Sequence, residues 1–420
     1  MLKLLCAGDL HLGRRSSRTQ NDDVSISSSH TWLECVEYAI KNEVSAVLLA
    51  GDIIDESNKF FEAFGPLEKG IETLRKYNIP VIAVSGNHDW DSIKSFVNGL
   101  NLDNFHILGI DGKWDNYKIS KDGNIIVSVW GKSFISKYQD NSPIQNLPSI
   151  QPEGVPIIGL LHTDVGAKNS VYAGVDRNEL QNKGFNLWVT GHIHQPSFED
   201  NILICGSLHA LDPSEEGKRG CWIIEIDENN NITSKHIPLS SVEYHNVNID
   251  LSQAQGIDNI RSIIAREIRD YTTKIIQKNI NLKYAVYRIS LVSRTPAYKD
   301  VNLAIKELDK EPISIHISDC TVVIDKIYNN TKPLLNLDEI SQGVGVTAFL
   351  AKLILDIESG INSEEMLSLL SKTNDNVASL ISQRNAEDFD FRQLDQDDLK
   401  EIICAKGYEL LDSLIMQVKK

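Results

Sequence analysis

At 420 residues, with 41% hydrophobic and 24% charged residues, the chain is long enough for two or three domains with their own cores. It has no run of about 18 apolar residues able to span a membrane, and its apolar start, Met1 to Ala7, is too short for a signal peptide. The formal charge of −16 argues against a chain whose whole surface grips nucleic acid, since phosphate affinity rests on Lys and Arg, but metal ions, a local basic loop or a partner subunit can still admit phosphate.

Six cysteines stand singly, without a CxxC pair, as expected of reduced thiols in the cytoplasm. In chain order, five short apolar runs each end in a polar cluster. Leu2–Ala7 leads into Gly8, Asp9, Leu10 and His11. Ala46–Ala50 leads into Gly51 and Asp52. Pro80–Val84 leads into Gly86, Asn87, His88 and Asp89. Ile157–Leu161 leads into His162, and Leu187–Thr190 into Gly191, His192, Ile193 and His194. Runs of this length and composition read as buried strands. Helical spacing over Thr31–Asn42 and Phe60–Tyr77 makes the pattern strand–helix–strand, with active groups at the strands' C-terminal ends, where open α/β sheets gather ligands. Further strands are expected at Ile125–Trp130, Ile202–Cys205 and Cys221–Ile226, with a hairpin turn at Asp227–Asn231.

The first domain is expected to span 1–240. A small α+β domain, 241–332, follows. Its helix Ile257–Lys278 carries Ile257, Ile260, Ile264, Ile268, Tyr271 and Ile275 on one stripe, and the strand Ala285–Val292 comes next. Residues 333–420 read as a helical tail with a stripe of Leu399, Ile403, Leu410, Leu414 and Val418. From residue 331 the tail carries sixteen acidic and nine basic side chains, a net of −7. Such a tail should repel DNA and favour a protein surface.

One histidine means little, because imidazole serves many structural roles. The set Asp9, His11, Asp52, Asn87, His162, His192 and His194 is different. Every member directly follows a strand, and one sheet edge would bring all seven together. Buried carboxylates and imidazoles in such number are costly without a cation. The i, i+2 spacing of Asp9 with His11, and of His192 with His194, lets an extended segment aim both side chains at one ion or at two neighbours. Mixed carboxylate, imidazole and amide donors suit manganese or iron. Two ions about 3.5–4 Å apart are the usual apparatus for phosphate-ester hydrolysis.

These residues, in this order, resemble the calcineurin-like metallophosphoesterase signature over roughly residues 1–240. The runs Asp9 to Gly13, Ala50 to Asp55 and Gly206 to Pro213, with Gly220, Cys221 and Trp222, are most similar to the SbcD-type DNA repair exonucleases. The resemblance implies an α/β metallophosphoesterase sandwich, its sheets flanked by helices, with a small α+β capping domain and a helical C-terminal region. It implies two divalent metal ions, most simply manganese. Asp9, His11, Asp52 and His194 would hold the first, and Asp52, Asn87, His162 and His192 the second. His88 would be the leaving-group acid and Asp89 an orienting residue behind it. Asp55 stands where some relatives carry a substrate-positioning histidine, and here it reads as a buttress of the metal loop. Arg14, Arg15 and Arg18 could receive DNA phosphates or line a solvated loop. The implied partners are DNA and an SMC-like ATPase of the SbcC kind, with a homodimer left open. The implied reaction is attack of activated water on a DNA phosphodiester during end processing. Two rivals stay in view: a phosphodiesterase or phosphatase for a small molecule, since fold does not choose substrate, and a non-catalytic scaffold regulating an ATPase.

Overall fold

The computed structural model describes residues 2–19, 24–55, 62–99, 102–121, 123–150, 154–310, 315–361, 363–383 and 396–418. The start of the expected Phe60–Tyr77 helix lies outside them. Strands among the described residues are β1 (Leu2–Ala7), β2 (Ala46–Ala50), β3 (Val81–Val84), β4 (Phe105–Ile107), β5 (Asp115–Lys121), β6 (Asn124–Lys132), β7 (Ile157–His162), β8 (Leu187–Gly191), β9 (Ser197–Glu199), β10 (Ile202–Ile204), β11 (Gly220–Ile226), β12 (Ile232–Pro238), β13 (Val242–Asp250), β14 (Tyr284–Val292), β15 (Arg294–Thr295), β16 (Ile315–Ile317), β17 (Cys320–Asn329) and β18 (Lys332–Pro333). The helices are α1 (Ser28–Lys41), α2 (Phe64–Lys76), α3 (Ser92–Gly99), α4 (Arg177–Gln181), α5 (Gly256–Ile276), α6 (Tyr298–Lys310), α7 (Leu337–Ser341), α8 (Val346–Glu358), α9 (Glu364–Gln383) and α10 (Gln396–Val418). None of them is long and apolar enough to cross a membrane.

Two six-stranded sheets form the centre, in the orders β12-β11-β1-β2-β3-β4 and β5-β6-β7-β8-β10-β9. The five apolar runs are fully buried because both of their faces are covered. Leu5 and Ala7 of β1, with Val47 and Leu49 of β2, face α1 and α2 through Trp32, Val36, Leu67 and Ile71. Leu4, Cys6, Leu48 and Ala50 face the other way and pack on Val129, Leu160 and Val189 of the second sheet. The outer side of that sheet is closed by Leu161, Leu180, Trp188 and Ile204. The result is a helix–sheet–sheet–helix sandwich, the α/β architecture expected from the sequence. Parallel β1, β2 and β3 end at one edge, as do β6, β7 and β8.

The chain divides into two compact units, Met1–Ser293 with Lys299–Asn330, and Arg294–Tyr298 with Thr331–Lys420. The boundary expected near residue 240 falls inside the first unit. There a four-stranded sheet, β13-β14-β17-β16, packs one face on Ile26 and Ala210 of the sandwich. On its other face α5 buries Ile260, Ile263, Ile264, Ile268 and Thr272. This corrects the expected stripe: Tyr271 is 40% exposed, and Thr272 takes the buried position, sharing a 2.7 Å hydrogen bond with Tyr287 Oη.

The second unit is helical apart from the short β15–β18 pair. Its core gathers Leu337, Ala351, Ile354 and Leu411. Of the expected α10 stripe Leu399 is buried, but Leu411 takes the buried position expected of Leu410. Leu410 is half exposed, and the side chain of Val418 lies outside the described ones.

Candidate metal centre

The site grows from the way the chain leaves the strands. After β1 the backbone turns left-handed at Asp9 (φ 47°) and His11 (φ 43°), after β2 at Asp52 (φ 46°), and after β8 at His192 (φ 89°). Each such non-glycine residue costs of order 1–3 kcal/mol, so surrounding structure must hold it. Here the loops after β1 and β2 are zipped together. Asp9 N–H donates to Gly51 O (3.1 Å), His11 N–H to Asp52 O (2.9 Å) and Leu12 N–H to Ile53 O (2.9 Å). Glycines permit the close approach. A Cβ on Gly86 would stand 2.1 Å from Asp52 Oδ1, and one on Gly51, itself at φ +84°, 2.6 Å from the His162 ring.

The side chains then converge. His162 Nδ1 donates to Ala50 O at 3.0 Å, which turns its Nε2 toward Asn87 Oδ1 (3.1 Å) and Asp52 Oδ2 (3.3 Å). His194 Nδ1 donates to Glu215 Oε1 at 2.5 Å. His11 Nδ1 lies 3.3 Å from Asp55 Oδ2. The Nε2 atoms of His11 and His194 consequently face each other at 3.3 Å. The Nδ1 atoms of His162 and His194 are hydrogen-bonded outward to oxygens, that of His11 lies near Asp55 without a hydrogen bond, and all three Nε2 atoms point inward. Such outward hydrogen bonds fix the tautomer of a metal-ligating histidine. Three overlapping groups have ligand atoms within 4.8 Å of one another: Asp9, His11 and His194; Asp9, Asp52 and His162; and His11, Asp55 and His88.

Buried charge completes the picture. Burial opposes ionisation of Asp52, yet His162, with His11 and His88, holds its carboxyl well below the usual carboxylate range. Burial disfavours the His162 imidazolium, but Asp52 and Asp9 push its pKa up to about 9. Asp52 thus draws positive charge onto His162, as expected where a buried carboxylate lacks a cation to satisfy it. Asp89 is pushed up to about 7 by burial and by Asp52, against the N–H groups of Gly86 and Ile53. Its Oδ1 accepts from Gly86 N–H (2.7 Å) and its Oδ2 from Ile53 N–H (2.7 Å), so it clamps the loops after β2 and β3 together.

The sequence-derived residues are placed as follows. Asp9, His11, Asp52, Asn87, His162 and His194 line the convergent space. His192 contributes its backbone N–H to both Asp9 oxygens, at 3.0 Å each, while its ring packs on His162 (5.2 Å between centroids) and Tyr172 (4.8 Å). His88 stands at the edge with its side chain one-third exposed. Its N–H donates to Asp52 Oδ1 (2.8 Å), and its Nε2 is 4.0 Å from Asp52 Oδ2. Arg14 is half-buried, 3.8 Å from Asp55, whereas Arg15 is exposed. Arg18 pairs with Asp325 of β17 at 3.2 Å, which engages it with the four-stranded sheet. Sequence reasoning missed Glu215. The signal available was an acid shortly after the Gly206–Pro213 segment, but nothing in the chain's pattern says that this side chain is 4% exposed and turned onto His194.

The candidates come from the edges of two sheets rather than the single edge expected, Asp9, His11, Asp52 and Asn87 following β1, β2 and β3 and His162, His192 and His194 belonging to β7 and the loop after β8. This arrangement is matched by the comparison with known families: residues 2–196 fit the model described as calcineurin-like phosphoesterase. The chain carries a calcineurin-like phosphoesterase domain. Beyond that domain, the chain is 26% identical over 397 residues to a DNA double-strand break repair protein Mre11 of Sulfolobus acidocaldarius, covering 88% of this chain and 98% of the relative. A DNA double-strand break repair protein Mre11 of Sulfurisphaera tokodaii is 24% identical over 415 residues, 89% of this chain and 98% of the relative. The SbcD subunit of the nuclease SbcCD from Staphylococcus epidermidis is 32% identical over 89 residues, 21% of this chain and 23% of the relative. The phosphoesterase domain contains every one of the seven ligand candidates, and Glu215 lies beyond its matched end.

Proposed function

We propose that the chain is a divalent-metal-dependent DNA nuclease that hydrolyses phosphodiester bonds during end processing and repair. The observation that carries this reading is the convergence of the Nε2 atoms of His162 (3.3 Å), His11 (4.0 Å) and His88 (4.0 Å) on Asp52 Oδ2. Asp9, His11, Asp52 and His194 would hold one ion, and Asp52, Asn87, His162 and His192 the other, with manganese suited to the oxygen and nitrogen donor set. When bound, such a pair supplies water activation near neutral pH and neutralises charge on the phosphoryl oxygens. The chain's own residues do the rest. Glu215 and Ala50 O aim the rings of His194 and His162, and Asp55 stands beside that of His11. Asp89 fixes the loops that carry Asp52 and Asn87. His88, open to solvent beside Asp52, delivers a proton to the departing sugar oxygen.

DNA as substrate is supported by relatives named for double-strand break repair and as part of a nuclease. An SMC-like ATPase of the SbcC kind fits the same relatives as a partner. Residues 1–240 would form the nuclease domain, 241–332 a cap and 333–420 the helical region. The net charge of −16 favours the rival, a phosphodiesterase for a small molecule.

The deciding experiment is manganese-dependent cleavage of labelled linear DNA beside hydrolysis of a cyclic nucleotide. DNA should be cut and the cyclic nucleotide hydrolysed far more slowly. The reverse ranking would establish the rival, and no hydrolysis of either with metal bound would leave the scaffold reading.

A further inference from the structure

His209 lies outside the metal-ligand set and is 1% exposed, yet both nitrogens of its ring are engaged. Its Nε2 is 2.8 Å from Ser16 Oγ and 3.2 Å from Ile26 O, and its Nδ1 is 2.9 Å from Thr31 Oγ1 of α1. Ser16 Oγ gives its single proton to Ala210 O, so it accepts from His209, and the ring carries its proton on Nε2. Thr31 then donates to Nδ1. Burial favours this neutral form, pushing the pKa of His209 down to about 4.

The two oxygens on Nε2 belong to two facing segments. Arg14–Ser16 and Ile26–Ser28 run antiparallel, paired at Arg15 and Ser27. Ser16 N–H donates to Ile26 O (3.3 Å), and Ser28 donates to Arg14 O through both its N–H and its Oγ, at 3.0 Å each. A two-stranded pairing is marginal by itself, and this one is short. His209 brackets its end, one N–H shared between the two segments. The bracketed segment begins three residues after His11 and carries Arg14, half-buried, and Arg15, exposed. In a chain of net charge −16, cations beside the metal centre govern where a phosphate can approach. Asp9 and His11 do not depend on the bracket, since their own N–H groups are held by Gly51 O and Asp52 O.

We propose that His209 is a positioning residue, fixing the Arg14–Ser16 segment so that Arg14 and Arg15 meet the DNA backbone beside the metal centre. The proposal rests on the nuclease reading above. The test is fluorescence anisotropy of a labelled duplex with the full chain in EDTA, so that nothing is cut, over a series of salt concentrations. Each phosphate contact adds about 0.9 to the slope of log affinity against log salt, so Arg14→Gln combined with Arg15→Gln should lower that slope by about 2. His209→Leu should lower it by about 1 to 2. His209→Gln, which keeps a neutral N–H donor and an acceptor, should retain the slope of the unaltered chain. His209→Leu added to the arginine pair should lower the slope no further than the pair does. An unchanged slope in His209→Leu would overturn the proposal. So would additive His209 and arginine effects, which would make His209 a structural residue that does not act through the arginines. A loss in His209→Gln equal to that in His209→Leu would overturn the hydrogen-bonded bracket. If His209→Leu does not fold, Ser16→Ala, which removes one acceptor of the same N–H, is read against the same outcomes. Manganese-dependent DNA cleavage by the unaltered chain is measured separately. Its absence alongside a His209-dependent slope would sink the nuclease reading and not the bracket.

Discussion

The strand-end cluster of the first unit and the helical second unit are incomplete in opposite ways. In the first, charge is inside. Asp9, Asp52 and His162 are each buried to 2% exposure or less, and their polar atoms point at one another. In the second, apolar surface is outside. Val344 is 95% exposed, Val346 65% and Phe349 53%. Yet that unit has a sound interior, with Leu337, Ala351, Ile354 and Leu411 packed together and Arg294 held to Asp412 by two 2.9 Å hydrogen bonds. Buried charge without a counter-ion and exposed apolar groups without cover are both unfavourable in an isolated chain. The first mismatch calls for a cation and the second for a protein surface, so ligand chemistry can be read from what each region leaves unbalanced.

The sharpest break in the first region is Asp52→Ala. One carboxylate touches His88 N–H at 2.8 Å and His162 Nε2 at 3.3 Å and lies within 4.0 Å of His11. Removing it should empty both metal positions and lower hydrolysis of every phosphodiester by more than about 100-fold, since outer residues alone cost 10- to 100-fold. Elemental analysis showing two ions per chain in Asp52→Ala would refute the shared carboxylate.

Next in size is His88→Ala. Positioned acids contribute about 10²–10⁴-fold, and a sugar alkoxide needs that proton far more than a nitrophenolate does. DNA cleavage should fall by that factor, a nitrophenyl phosphodiester should lose much less, and metal content should hold. Equal losses on the two substrates, or a lost metal, would remove His88 from the acid role.

How much of this was legible follows from the same contrast. The strands were visible because burial on both faces makes them continuously apolar, and the candidate ligands because polar residues break those runs at their ends. The edge strand β5 went unread because Ile119 is its one buried residue, leaving no periodic signal. On α5 the stripe was read correctly at Ile260, Ile264 and Ile268 and one residue off at Tyr271, where the smaller Thr272 takes the buried position. Glu215 was invisible for another reason: its role depends on folding a loop back onto His194, a contact 21 residues distant.

Glu215 accordingly gives a smaller, more local break. It holds His194 Nδ1 with Oε1 while Oε2 accepts Leu211 N–H at 2.6 Å. Glu215→Ala should reduce affinity at the ion held by His194 by about 10- to 100-fold, and Glu215→Gln, which keeps an acceptor for the ring proton, by less. Calorimetric metal titration distinguishes the two sites. Equal losses in both variants with an unchanged circular dichroism spectrum would mean that Glu215 does not orient the ring.

The smallest effect on chemistry belongs to the second unit. Val346 and Phe349 lie three residues apart at the start of α8, so they share one face, and Val344 precedes them. Replacing an exposed residue changes folding stability by within about 0.5 kcal/mol, so Phe349→Ser should fold as the parent does. Its metal content and its rate on a nitrophenyl phosphodiester should match the parent's. If this face receives the ATPase partner, an aromatic anchor at its middle should be worth about 2 kcal/mol or more, or roughly a 30-fold loss of affinity. The net acidity of residues 331–420 predicts in addition that DNA does not compete for the face. Pull-down of an SMC-like ATPase by the parent and by Phe349→Ser, each with and without excess DNA, tests both statements. Undiminished capture by Phe349→Ser would move the partner's footprint elsewhere, and loss of the nitrophenyl rate would mean that α8 supports the catalytic unit rather than a partner.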